Sequence, residues 1–239
     1  MPPAGTAAMV RRPAELERIV PDIFDEVEEE VRAERMRRLL QRYAGLILGA
    51  VLLVVAGVAG WRIRDYYQAQ QDRAAAARYL AALNQTQGTG ATAEASRAEA
   101  TATLAKLADS APSGYRQLAR LRLAALLAGA GKRQQALDLY NALATDQSAD
   151  PLLRDLASLL WAEHQIDSGD PQILEARLKP LAASGSPWRP LAERQLALLD
   201  LRQNRVAPAR DILRRLAVDG AAPSGVRESA QLLLQQIGS

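Results

Sequence analysis

The chain has 239 residues and no cysteine. Disulfides, thiolate metal sites and a cysteine nucleophile are therefore excluded. Its single histidine, His164, excludes a multi-histidine metal site. Aromatic residues make up only 4%, with one Phe, although hydrophobic residues reach 49%. Pleated sheets draw on β-branched and aromatic side chains, so a β-sandwich or barrel is not expected. Alanine and leucine dominate instead, which suits helices packed through small side chains. Charge of one sign is also scarce, the net charge being +3. Residues 1–43 carry 8 Arg against 9 acids, and residues 44–239 carry 22 basic against 18 acidic groups. Neither part has the concentrated basic face of a nucleic-acid binder.

Motifs for chemistry are missing too. There is no GxxxxGK[ST] loop, no GxGxxG after a strand and no GxSxG elbow. His164 lies beside Glu163 without a serine nucleophile nearby in sequence, and reads as a surface or capping residue. Asp65, Asp72, Asp167 and Asp170 read as helix caps and solvated faces. The expectation is a non-enzymatic protein with no catalytic residue, cofactor, metal or small-molecule substrate.

What is present starts with residues 44–61, AGLILGAVLLVVAGVAGW, which carry no charge. At a rise of about 1.5 Å per residue this run spans ~27 Å, close to a hydrocarbon core of about 30 Å. Tyr43 and Trp61 stand at its ends, where interfacial aromatics are favoured, and Arg42 and Arg62 flank it. A transmembrane helix is expected over 44–62. A buried core helix is one alternative, against which the run is apolar all round. A cleaved signal peptide is the other, against which 43 residues precede the run. Five arginines lie in 29–43 and three in 62–76, placing the N-terminus in the cytoplasm by the positive-inside rule. Gly45 and Gly49 form a GxxxG pair, and Ala56 and Gly60 repeat the spacing of small residues. Such a face admits a partner helix in lipid.

Ahead of this run, residues 1–21 form an expected disordered tail, rich in Pro, Ala and Gly at its start. A charged juxtamembrane helix is expected over 22–43, with Asp22 as N-cap and Glu28–Arg32 and Glu34–Arg38 as i, i+4 pairs. It reads as an orienting leader, or as a docking face for a cytoplasmic partner.

Beyond residue 63 the chain repeats itself. Gly131, Gly169 and Asn204 are expected to end helices, 38 and 35 residues apart. Five residues on stand Ala136, Leu174 and Ala209; then Tyr140, Leu178 and Leu213; then Leu143, Leu181 and Leu216. Ala100, Leu104 and Leu107 extend the frame upstream. Positions i, i+4 and i+7 share one helix face, so a small residue permits close approach and larger ones fill the groove. First helices pair with these at about 65–86, 115–128, 152–166 and 188–202, with a closing helix at 225–237. A period near 34–38 with turn and terminal breakers is the tetratricopeptide pattern. The fold class expected is all-α: one N-terminal transmembrane helix, then a tetratricopeptide-like α-solenoid over 63–239. A generic helical bundle is the alternative. Trp161 and Trp188 are expected to brace adjacent units, or to anchor a peptide. Arg116, Arg120, Arg122 and Arg154 read as solvated faces, or as a basic groove.

The leader DIFDEVEEEVRAERMRRLLQRYAGLILGAVLLVVAGVAGWRIRDYYQAQQ, followed by degenerate repeats, resembles the YfgM-like family of ancillary SecYEG translocon subunits, of alphaproteobacterial type. The resemblance is clearest over 21–71. It implies a single-pass inner-membrane protein with periplasmic repeats, partnered by the SecYEG translocon and a membrane-anchored, prolyl-isomerase-like periplasmic chaperone. It implies a role in handing on exported proteins, and no catalytic residues. A scaffold for cell-envelope or division complexes is the competing function.

Overall fold

The structure, a computed structural model, describes residues 23–87 and 93–238. Side chains of 23–41 and of residue 47 are not included. The expected tail over 1–21 and the Asp22 cap lie outside the described residues, and the two Glu–Arg pairs involve side chains outside them. Every regular element among the described residues is an α-helix. Contacts divide the chain into two units, Met1–Arg64 and Asp65–Ser239.

Helix α1 runs from Ile23 to Thr86 without a break. The charged leader, the apolar run and the expected first helix after it are one continuous helix. Nothing in the sequence interrupts it, since no Pro occurs between Pro21 and Pro112 and the glycines at 45, 49, 57 and 60 are isolated.

The second unit continues with α2 (Ala93–Ser110), α3 (Ser113–Gly129), α4 (Arg133–Thr145), α5 (Pro151–Glu163), α6 (Pro171–Leu181), α7 (Arg189–Arg202), α8 (Val206–Val218) and α9 (Ser224–Gly238). Asp150 and Asp170 cap α5 and α6, their carboxylates accepting from Leu152 N and Gln172 N at 2.8 Å, with Pro next in line. That Asp-Pro start satisfies an orphan amide where proline has none to lose.

From α2 onward each helix packs on the next, an order compatible with an α-solenoid. Helix α5 also touches α7, and α7 touches α9, while α4, α6 and α8 make no comparable contact with one another. Helices α5, α7 and α9 therefore form a more closely packed row than α4, α6 and α8. Four apolar clusters follow in sequence along the unit, with Leu127 and Leu139 shared by the first two and Trp161 by the second and third.

Helix α5 departs from its expected span, ending at Glu163 rather than near 166. Tertiary contacts explain the early end. Arg133 donates to the His164 carbonyl and, at 2.8 Å, to Ser168 Oγ. Arg202 donates to the carbonyls of Ile166 at 2.6 Å and Gly169 at 2.7 Å. Carbonyls that a further helical turn would use internally are held by guanidinium groups instead.

Candidate protein-interaction surface

The apolar run supplies the first surface. Helix α1 is the one helix among the described residues long and apolar enough to cross a membrane, and none of its apolar window is buried. Tyr43 is 45% and Trp61 68% exposed. Gly45, Gly49, Ala56 and Gly60 are all exposed. A methyl group added at any of the three glycines would meet nothing within 4 Å. No side chain among the described residues covers that face.

The apolar residues of the expected framework lie in the interior. Ala100, Ala136, Leu174 and Ala209 are fully buried, as are Leu104, Leu178 and Leu213. Tyr140 is 1% exposed, and Leu107, Leu143, Leu181 and Leu216 are all buried. Burial holds the Tyr140 hydroxyl well above its ordinary range, to about 12, with a further push from the Glu163 carboxylate. His164 stacks on the Tyr140 ring at 5.6 Å between centroids. No group of three or more His, Cys, Asp or Glu that could hold a metal occurs among the described residues.

The three turn positions are not alike. Gly131 has φ 76° and Asn204 φ 60°, both left-handed. Each is followed by the same closing bond, Lys132 N to Leu127 O and Arg205 N to Asp200 O, both 2.8 Å. Asparagine thus occupies a position that glycine takes two such turns earlier, as its short polar side chain allows. Gly169 differs, because it sits after the α5–α6 turn, beside the Asp170 cap, and ends no helix. A Cβ there would lie 2.9 Å from the Gln165 carbonyl oxygen, so close approach is what requires glycine.

A further row escaped the sequence reading. Ala82, Ala119, Ala157, Ala192 and Ala230 recur every 35–38 residues in the first helices, and each is fully buried. They permit the odd-numbered helices to pack closely. Polar bridges also join that row: Arg122 Nη2 donates to Thr86 Oγ1 at 2.8 Å, the Asp150 amide to Gln117 Oε1 at 3.2 Å, and Arg194 pairs with Glu163 at 3.4 Å.

The arginines read as a basic groove or as solvated faces are partly exposed and also bond within the chain. Arg116 Nε donates to the Ala111 carbonyl at 3.1 Å and Arg154 to Gln147 at 2.9 Å, while Arg120 pairs with Asp146 at 3.4 Å. Asp146 and Asp219 hold corresponding turns before α5 and α9. The Ser148 hydroxyl and amide hold the Asp146 carboxyl below its usual range, joined by Arg120. The Ala221 amide and Arg189, 2.6 Å away, do the same for Asp219. Trp161 packs between two apolar clusters, with the Arg177 guanidinium 3.8 Å above its ring. Trp188 packs against the third cluster. Both are braces by placement.

No family model, curated protein or solved structure matches the chain.

Proposed function

We propose that this chain is a non-enzymatic, single-pass adaptor of the bacterial inner membrane. In this reading residues 44–62 span the bilayer with the N-terminus cytoplasmic, and residues 63–239 form a periplasmic, tetratricopeptide-like α-solenoid. The resemblance of the leader to the YfgM-like family gives the partners: the SecYEG translocon, and a membrane-anchored, prolyl-isomerase-like chaperone. The observation that carries the proposal is the fully exposed, charge-free face of α1, in a chain whose second unit buries its recurrent apolar residues internally. An exposed apolar run of that length is stable where lipid replaces water. Tethering a repeat domain beside the channel raises the local concentration of chaperone near emerging chains.

The test is chemical crosslinking of the tagged full chain in intact membranes, read by mass spectrometry, beside a Gly49→Leu variant. Recovery of the translocon channel and a periplasmic chaperone is expected, with the channel lost in the variant. Recovery of division or envelope-assembly proteins alone would replace this reading with the scaffold.

A further inference from the structure

A cavity of about 830 Å³ opens between α2 and the C-terminal end of α3. Its floor is alanine-rich, with Ala98, Ala102 and Ala105 on α2 facing Leu126 on α3, and its charged lining residues are Glu94, Arg97 and Lys132.

The chain contains its own comparison for this junction. The buried pair Ala100 and Ala136 sets α2 and α4 36 residues apart, so Arg97 corresponds to Arg133. Ala119 and Ala157 set α3 and α5 38 residues apart, so Leu126 and Ala130 correspond to His164 and Ser168. At the α4–α5 junction Arg133 bridges the two elements, donating to the His164 carbonyl and to Ser168 Oγ. At the α2–α3 junction the two acceptor positions differ. The Leu126 carbonyl accepts from the Ala130 amide at 2.9 Å, and Ala130 has a methyl where Ser168 has a hydroxyl. Arg97 is exposed, and its guanidinium makes no bond among the described residues. The same guanidinium position is thus engaged by the chain's own turn at the α4–α5 junction and lines an open, alanine-rich cavity at the α2–α3 junction.

We propose that this cavity is a docking site for an acidic peptide segment of a partner protein. Carboxylate and carbonyl oxygens of the segment take the place of the missing acceptors, at Arg97 and Lys132. An aliphatic side chain of the segment enters between Ala98, Ala102 and Leu126. Two cations against the single carboxylate of Glu94 set the sign of the ligand, and paired charge-assisted bonds to a guanidinium favour a carboxylate over a neutral amide. The inference is independent of the translocon reading, since it requires neither the membrane side nor a particular partner.

The probe is the chain's own bridging turn as a peptide, residues 164–170, HQIDSGD, capped at both ends. It is titrated against the full chain in lipid nanodiscs with alanine and leucine methyls labelled. Saturable shifts are expected at Ala98, Ala102, Ala105 and Leu126. Binding is expected to weaken about tenfold or more in Arg97→Glu, the scale of one lost charge-assisted bond. The same weakening is expected for the HQINSGN peptide, and loss of binding for Ala102→Trp, which fills the cavity from an exposed position. Absence of shifts at these methyls, or shifts that persist in Arg97→Glu, would overturn the proposal. Cross-relaxation from these methyls to another segment of the same chain, without added peptide, would overturn it too, because the cavity would then be occupied.

Discussion

Left-handed backbone and burial decide what individual residues contribute. Asn204 at φ 60° holds the α7–α8 turn as Gly131 at φ 76° holds the α3–α4 turn. Asn204→Ala is expected to cost about 1–2 kcal/mol, the cost of a methyl in that region, whereas Asn204→Gly is expected to stay within about 0.5 kcal/mol of the parent. Urea denaturation of the two variants checks this. Tyr140 makes a pH-dependent contribution whose sign is fixed by burial. Its hydroxyl titrates at about 12 in the folded chain against 10.0 in the open chain. The stability it confers is therefore complete below pH 10 and lost between pH 10 and 12. A Tyr140→Phe variant keeps the packing, and is expected to lose less stability than the parent across that window in thermal melts. The twelve framework residues were legible because their spacing pairs a small residue with larger ones on one helix face. The five buried alanines of the first helices were not, because alanine is so frequent in this chain that a recurrence of it carries little contrast.

Whole elements follow local signals closely, except where distant side chains intervene. The starts of α5 and α6 are written in Asp150-Pro151 and Asp170-Pro171. The end of α5 is not, because the carbonyls beyond Glu163 are taken by Arg133 and Arg202 from neighbouring helices. Periodicity within α5 contains no trace of those two residues. Arg202→Ala is expected to destabilise the second unit by about 1–3 kcal/mol, since two carbonyls lose a charged donor. Hydrogen exchange resolved by fragment is expected to show the loss of protection concentrated in 164–170, with α3 and α4 unchanged. The continuity of α1 was partly legible. Its apolar run and its charged leader each read as helical, while the absence of any break between them follows from the lack of an internal proline over 22–111.

At the scale of the whole molecule, the helix-on-next-helix packing of the second unit is compatible with an α-solenoid. Stability in that architecture is close to a sum of unit and interface contributions. Helix α9 closes the row, burying Val226 and Ala230 against α7 and α8 while exposing Glu228, Gln231 and Gln235. Deleting 224–239 is expected to uncover Leu213 and Leu216, to open α7 and α8 in hydrogen exchange, and to leave α3 and α4 protected. Uniform loss of protection would show instead that the unit folds as one cooperative body.

Under the proposed function α1 spans a bilayer once, with the second unit on the far side. The chain has no cysteine, so single-cysteine variants report position without background. Ala8→Cys and Gln231→Cys chains, expressed in a Gram-negative bacterium with a permeabilised outer membrane, would be treated with a membrane-impermeant maleimide. The account predicts labelling of Gln231→Cys in intact spheroplasts and of Ala8→Cys only after lysis. Labelling of both before lysis, or of neither, would contradict it.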